Sequence, residues 1–105
     1  MENISIEQIR KDLKLIKEFY EYRLEFNNRK LKFETYIVGK VKLYNKLVKF
    51  SSCHFQYIYY NLYVKGTTQN ELAEKMCYSL ETVSRINNKL IKFFYSIMNI
   101  PDFVV

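Results

Sequence analysis

Apolar residues return along this chain at intervals of three and four. Ile9, Leu13, Ile16, Tyr20 and Leu24 form one stripe, which predicts an amphipathic helix. Ser5, with Gln8 three residues later, predicts the capping box that opens it. The stripe weakens towards Leu31, and Asn27-Asn28 is the expected fray point. At ~1.5 Å per residue, a helix from Ser5 to Lys32 would span about 40 Å, longer than a small domain is wide. It must bend, fold back or meet a partner such as a second copy of the chain.

Ile37, Val41, Tyr44, Leu47 and Val48 continue the helical spacing through residues 35–50. A strand through Tyr36, Ile37 and Val38 with a turn at Gly39 competes, because β-branched and aromatic residues suit sheets. Helix is preferred, since the apolar set keeps to one face and the lysines to the other. The next run, HFQYIYYNLYV (54–64), is apolar nearly all round, and periodicity alone does not separate a buried helix from a strand. Its ends favour helix: Ser51 or Ser52 suits the N-cap and Gly66 the C′ position. Thr67 or Thr68 caps a short fourth helix, with Glu71 at N3 if the cap is Thr68. Ser79 caps a fifth, with Thr82 at N3, which runs through Lys92, Phe93, Phe94, Ile97 and Met98 until Pro101 stops it. The expected fold is all-α, with about five helices, a C-terminal helix-turn-helix and a long final helix.

Residues 67–90, TTQNELAEKMCYSLETVSRINNKL, carry the functional signal. Two helices that cross closely need a small residue at the crossing, a tight turn and apolar residues at fixed offsets. Ala73 is the small residue and Cys77-Tyr78-Ser79 the turn. Leu72 and Met76 supply the inward face of the first helix, and Val83, Ile86 and Leu90 that of the second. Leu80, Glu81, Thr82, Ser84, Arg85, Asn88 and Lys89 are left to face outward. In DNA-binding proteins of this design the second helix lies in the major groove and its first turns reach base edges.

Length bounds the chain to a single domain, 1–105, divided into an N-terminal helical region (1–50) and a helix-turn-helix unit (51–100). The formal net charge of +6 suits a polyanionic partner. The charge is unevenly placed: residues 1–50 hold 12 Lys/Arg against 7 Asp/Glu, whereas residues 51–105 hold 5 against 4. Within 29–49, Arg29, Lys30, Lys32, Lys40, Lys42, Lys46 and Lys49 face only Glu34. Phosphate neutralisation supplies much of the free energy of DNA binding. A helix-turn-helix half at net +1 is therefore expected to need this basic stretch, or a second subunit. Lys40, Lys42, Lys46 and Lys49 are the candidate auxiliary phosphate contacts.

Two cysteines without a metal spacing or a leader suggest a reducing, cytoplasmic setting, and no apolar run approaches membrane-span length. His54 neighbours Cys53, but adjacent helical residues point about 100° apart, so a partly buried histidine is expected rather than a catalytic pair. With glycine only at Gly39 and Gly66, no phosphate-cradling glycine loop can form. Tyr57, Tyr59, Tyr60 and Tyr63 point in several directions around a helix, which suits core packing with phenolic tips at the surface better than a base-stacking platform. No enzyme activity, cofactor or metal is expected.

TQNELAEKM followed by YSLETVSRINNKL resembles the helix-turn-helix of phage repressors and of the fourth, promoter-reading region of sigma factors. The LYVKGTT approach and the long final helix are closer to the sigma type. Small size and layout are similar to phage and prophage late-gene transcriptional regulators of the ArpU/RinA type. The resemblance covers about residues 51–98. It implies a sequence-specific, double-stranded DNA-binding regulator of transcription, phage or prophage encoded, that reads the major groove with helix 79–98.

By this resemblance, Thr68 and Gln69 would bond phosphates, and Ser79, Glu81, Thr82 and Arg85 would lie along the groove-facing surface. Arg85 would donate to a guanine and Glu81 accept from a cytosine amine. Asn88, Lys89 and Lys92 would follow the backbone. One position departs from the pattern, because the turn usually carries glycine where this chain has Cys77. A left-handed non-glycine residue costs about 1–2 kcal/mol, although sigma-type turns are looser here. RNA polymerase, another host protein and a second copy of the chain are the further candidate partners. The rival expectation is a helical protein-binding module, an inhibitor or adaptor of a host protein, whose helix-turn-helix is structural or autoregulatory.

Overall fold

The computed structural model describes residues 4–28 and 35–100, with the side chains of 24–28 and 35 excepted. Among the described residues five α-helices follow one another: α1 (Ile6–Asn28), α2 (Thr35–Val48), α3 (Cys53–Tyr59), α4 (Gln69–Met76) and α5 (Leu80–Met98). There is no strand among the described residues. The strand alternative at Tyr36–Val38 therefore gives way to helix, and Gly39 lies inside α2. Leu24 lies within α1 with its side chain outside the description, and Leu31, the basic residues Arg29, Lys30 and Lys32, and the stop at Pro101 fall outside the described positions.

The cores of the stripes are where the spacing put them. Ile9, Leu13 and Ile16 of α1, Tyr44 and Leu47 of α2, and Val83, Leu90 and Phe94 of α5 are buried in one cluster. Each such side chain contributes roughly 1.5–3 kcal/mol on leaving water. α5 is the central element, packing against α1, α2, α3 and α4. The rings of Tyr44 and Tyr59 meet Phe94 edge-on, at centroid distances of 4.9 and 6.0 Å. The first and last described stretches are also joined: Ile4 N donates to Asn99 Oδ1 at 2.9 Å, and Asn99 Nδ2 donates back to Ile4 O at 3.1 Å.

Two local features depart from the sequence reading. Ser5 Oγ accepts from Gln8 N at 3.1 Å, but Gln8 Nε2 donates to Asp12 Oδ1 at 2.8 Å, so the return half of the expected box is diverted. Asp12 is fully buried and also accepts from Tyr44 Oη at 2.7 Å and Lys40 Nζ at 3.2 Å. A carboxylate out of water needs this many partners, and it outcompetes an exposed backbone amide for the Gln8 side chain.

The second departure follows α3. Ser52 is its N-cap, accepting from Phe55 N at 3.2 Å, but at Tyr60 the helix widens into a π-helical turn, Tyr60–Val64. Lys65 N closes that turn on Tyr60 O at 2.8 Å. Gly66 then takes φ +80°, the left-handed stop expected of it.

Candidate nucleic-acid interface

The chain enters α4 through a full capping box at Thr68. Thr68 Oγ1 accepts from Glu71 N at 3.1 Å, and Glu71 Oε1 accepts from Thr68 N at 3.4 Å. Leu72 and Ala73 turn inward and are buried, and Met76 packs at the edge of the core. Cys77 ends the helix with φ 58° and ψ 37°, the left-handed region that Gly would occupy without strain. Tyr78 N donates to Ala73 O at 2.9 Å and Cys77 N to Glu74 O at 3.2 Å, which is the Schellman pattern. Ser79 caps α5: its Oγ accepts from Thr82 N at 3.1 Å and lies 2.9 Å from Thr82 Oγ1.

Gln69 of α4 and Leu80, Glu81, Ser84, Arg85 and Asn88 of α5 line one shallow, open concavity. The structure thus brings Gln69, Glu81, Arg85 and Asn88 together. Thr68 and Ser79 are exposed at the two helix starts, with their oxygens accepting from their own helices; the Thr68 hydroxyl proton is left for an outside partner, whereas Ser79 Oγ shares a hydrogen bond with Thr82 Oγ1 in which either hydroxyl can donate. Thr82 is half-buried, its hydroxyl engaged by Ser79. Lys89 and Lys92 are exposed further along α5.

The inward face of α5 is broader than the spacing suggested. Ile86 is only partly buried, whereas Asn87 is buried beside Val83, Leu90 and Ile91. Tyr63 Oη, carried by the π-helical turn, donates to Asn87 Oδ1. Burial pushes the Tyr63 phenol up to about 12, against the opposing pulls of the Asn87 bond and the Arg10 charge. Asn87 was detectable in the sequence, since it falls on the same helical row as Val83 and Ile91.

Arg10 was not detectable. Its Nη2 donates to Asn88 Oδ1 at 3.2 Å, which joins α1 to the concavity across 78 positions of sequence. Nothing in the local pattern of an exposed arginine beside Ile9 reports which helix will pack next to it.

The auxiliary lysines lie elsewhere. Lys40 Nζ is held 3.2 Å from the buried Asp12, so its charge is balanced within the fold. Lys42, Lys46 and Lys49 are exposed along α2 and the turn after it. Residues two apart on a helix are about 200° apart around its axis, so Asp12 and Arg10 face nearly opposite flanks of α1. α2, bonded to α1 at Asp12, accordingly docks on the flank away from Arg10.

His54 is exposed rather than partly buried, and its ring stacks 6.4 Å from that of Tyr78 in the turn. The tyrosines of α3 and its extension divide. Tyr59 is buried and donates to Asn45 Oδ1 at 2.6 Å, while Tyr57 and Tyr60 stand 41% and 55% exposed. No helix among the described residues is long and apolar enough to cross a membrane. Set against models of known families, curated proteins and solved structures, the chain matches none.

Proposed function

We propose that the protein is a sequence-specific, double-stranded DNA-binding regulator of transcription, of the phage and prophage kind its sequence resembles, that reads the major groove with α5. One observation carries this reading. The exposed side of the first three turns of α5 gathers Glu81, Arg85 and Asn88 with Gln69 of α4 around one open surface, while the opposite side of α5 is locked into the core. A rigid helix with donors and acceptors free on its first turns has what base-edge recognition requires. Thr68 and Gln69 would contact phosphates at the start of α4. Ser79, Glu81, Thr82 and Arg85 would lie along the groove-facing surface, with Asn88, Lys89 and Lys92 along the backbone.

The test is selection of bound duplexes from a random pool. A recurring motif from the wild type, lost or broadened with Arg85→Ala, supports the reading, and a pool that yields no motif removes it. The rival, a helical module that binds a host protein such as RNA polymerase, rests on the exposed rings of Phe50, Tyr57 and Tyr60. It expects salt-insensitive association with one protein and no selected motif.

A further inference from the structure

We infer that α1 supplies a second part of this interface: a cationic row of Arg10, Lys14 and Lys17 that, with Lys65, takes the phosphate backbone of the duplex beside the groove read by α5. The inference rests on the DNA-binding reading and answers a question of charge that α4 and α5 leave open. On those two helices Lys75, Arg85, Lys89 and Lys92 are offset by Glu71, Glu74 and Glu81. A duplex site held by several phosphate contacts needs more positive charge than this.

The row begins at the recognition surface itself. Arg10 is bonded to Asn88, which lines the same concavity as Arg85 and Gln69. That bond uses one N–H of the guanidinium and orients the fork, leaving the other donors for an anion. Lys14 is exposed one turn further on, and Lys17 follows at the next. Lys17 lines a cleft with Val64, Lys65 and Gly66, the segment that leads into α4. The cations therefore run about 10 Å along α1, from the middle of α5 to the approach to α4. Glu7 and Glu21 lie one turn beyond either end of the row; Glu21 also lines the cleft.

The competing source of charge is α2, and its geometry is unfavourable. Lys40 is tied to Asp12, and α2 docks on the flank of α1 opposite Arg10. The described part of the basic stretch is thus attached to the flank of α1 that does not carry Arg10.

Binding of the full chain to its selected duplex is measured by fluorescence anisotropy from low to moderate salt. The variants are Arg10→Gln, Lys14→Gln and Lys17→Gln, singly and combined, with far-UV circular dichroism to verify folding. The combined variant is expected to lower the slope of log affinity against log salt by about 2–3, near one per lost contact, with the selected motif unchanged. Arg10→Lys, which keeps the charge and loses the fork, should retain the slope.

Should the combined variant fold and keep the wild-type slope, the α1 assignment is overturned while the DNA reading stands. A slope lowered instead by Lys42→Gln, Lys46→Gln and Lys49→Gln together would move the backbone contact to α2 and overturn it equally. If the wild type binds no duplex in a salt-dependent way, the DNA reading and this inference fall together.

Discussion

Cys77 occupies a left-handed backbone position, with the hydrogen bonds of a Schellman stop formed around it. The sequence showed that a non-glycine stood where such turns usually carry glycine, and the backbone took that conformation nonetheless. The strain is about 1–2 kcal/mol. Part of its relief in Cys77→Gly is offset by the freedom glycine gives the unfolded chain. The variant should therefore gain up to about 1 kcal/mol in urea denaturation. A loss of stability would mean that the Cys77 side chain makes contacts worth more than the strain. Arg85 lies on the exposed side of the same helix pair, and its predicted role is in binding rather than folding. Arg85→Ala should weaken binding to the selected duplex by about 1–3 kcal/mol and relax preference at one base pair. An equal loss on every duplex would reduce Arg85 to a phosphate contact.

Among the elements, those governed by short-range rules were legible in the sequence. The caps at Ser52, Thr68 and Ser79 and the stop at Gly66 depend on residues within one turn of themselves, and each is in place. The apolar stripes of α1, α2 and α5 likewise record which side must leave water. What stayed hidden depends on distant partners. Gln8 leaves its box because Asp12 is buried by α2, and Arg10 meets Asn88 because α1 packs on α5. The π-helical turn at Tyr60–Val64 has no spacing signature in a run that is apolar nearly all round, yet it sets Tyr63 against Asn87. Of the candidate interface, the row on α4 and α5 could be read from helical offsets, whereas the contribution of α1 required the tertiary fold. Ser79 shows how much one such local device holds. Ser79→Ala removes the acceptor for Thr82 N at the entry to the central helix, so it should cost about 1 kcal/mol, read as a lower urea midpoint at unchanged slope. An unchanged midpoint would mean that tertiary packing alone fixes the start of α5.

Across the whole molecule, buried phenols join the helices and set an alkaline limit on stability. Tyr44 ties α2 to Asp12 of α1, Tyr59 ties α3 to Asn45 of α2, and Tyr63 ties the π-helical turn to Asn87 of α5. Burial raises all three above the ordinary tyrosine value, with the bond to Asp12 adding to the rise at Tyr44; Tyr63 is pushed up to about 12. A group whose pKa is higher in the folded state holds its proton there after the unfolded chain has lost it. Its stabilising contribution is thus fully present below about pH 10. It declines as pH rises, and for Tyr63 it is gone above about 12. Each such phenol tilts the equilibrium by about 1.4 kcal/mol per pH unit in that window, so three together approach about 4. Against a total of roughly 5–15 kcal/mol for a chain of this length, the fold should give way within one to a few pH units above 10. Helical circular dichroism and the share of phenolate absorbance that comes from these three rings, obtained by difference against their Tyr→Phe variants, should change together in one cooperative step of a pH titration. Tyr63→Phe should flatten the alkaline slope by about one proton while costing about 1 kcal/mol at neutral pH through the stranded Asn87 oxygen. Phenolate absorbance that rises fully near pH 10, with the helices intact, would show that these hydroxyls are open to water and that the joints between helices are looser than their hydrogen bonds imply.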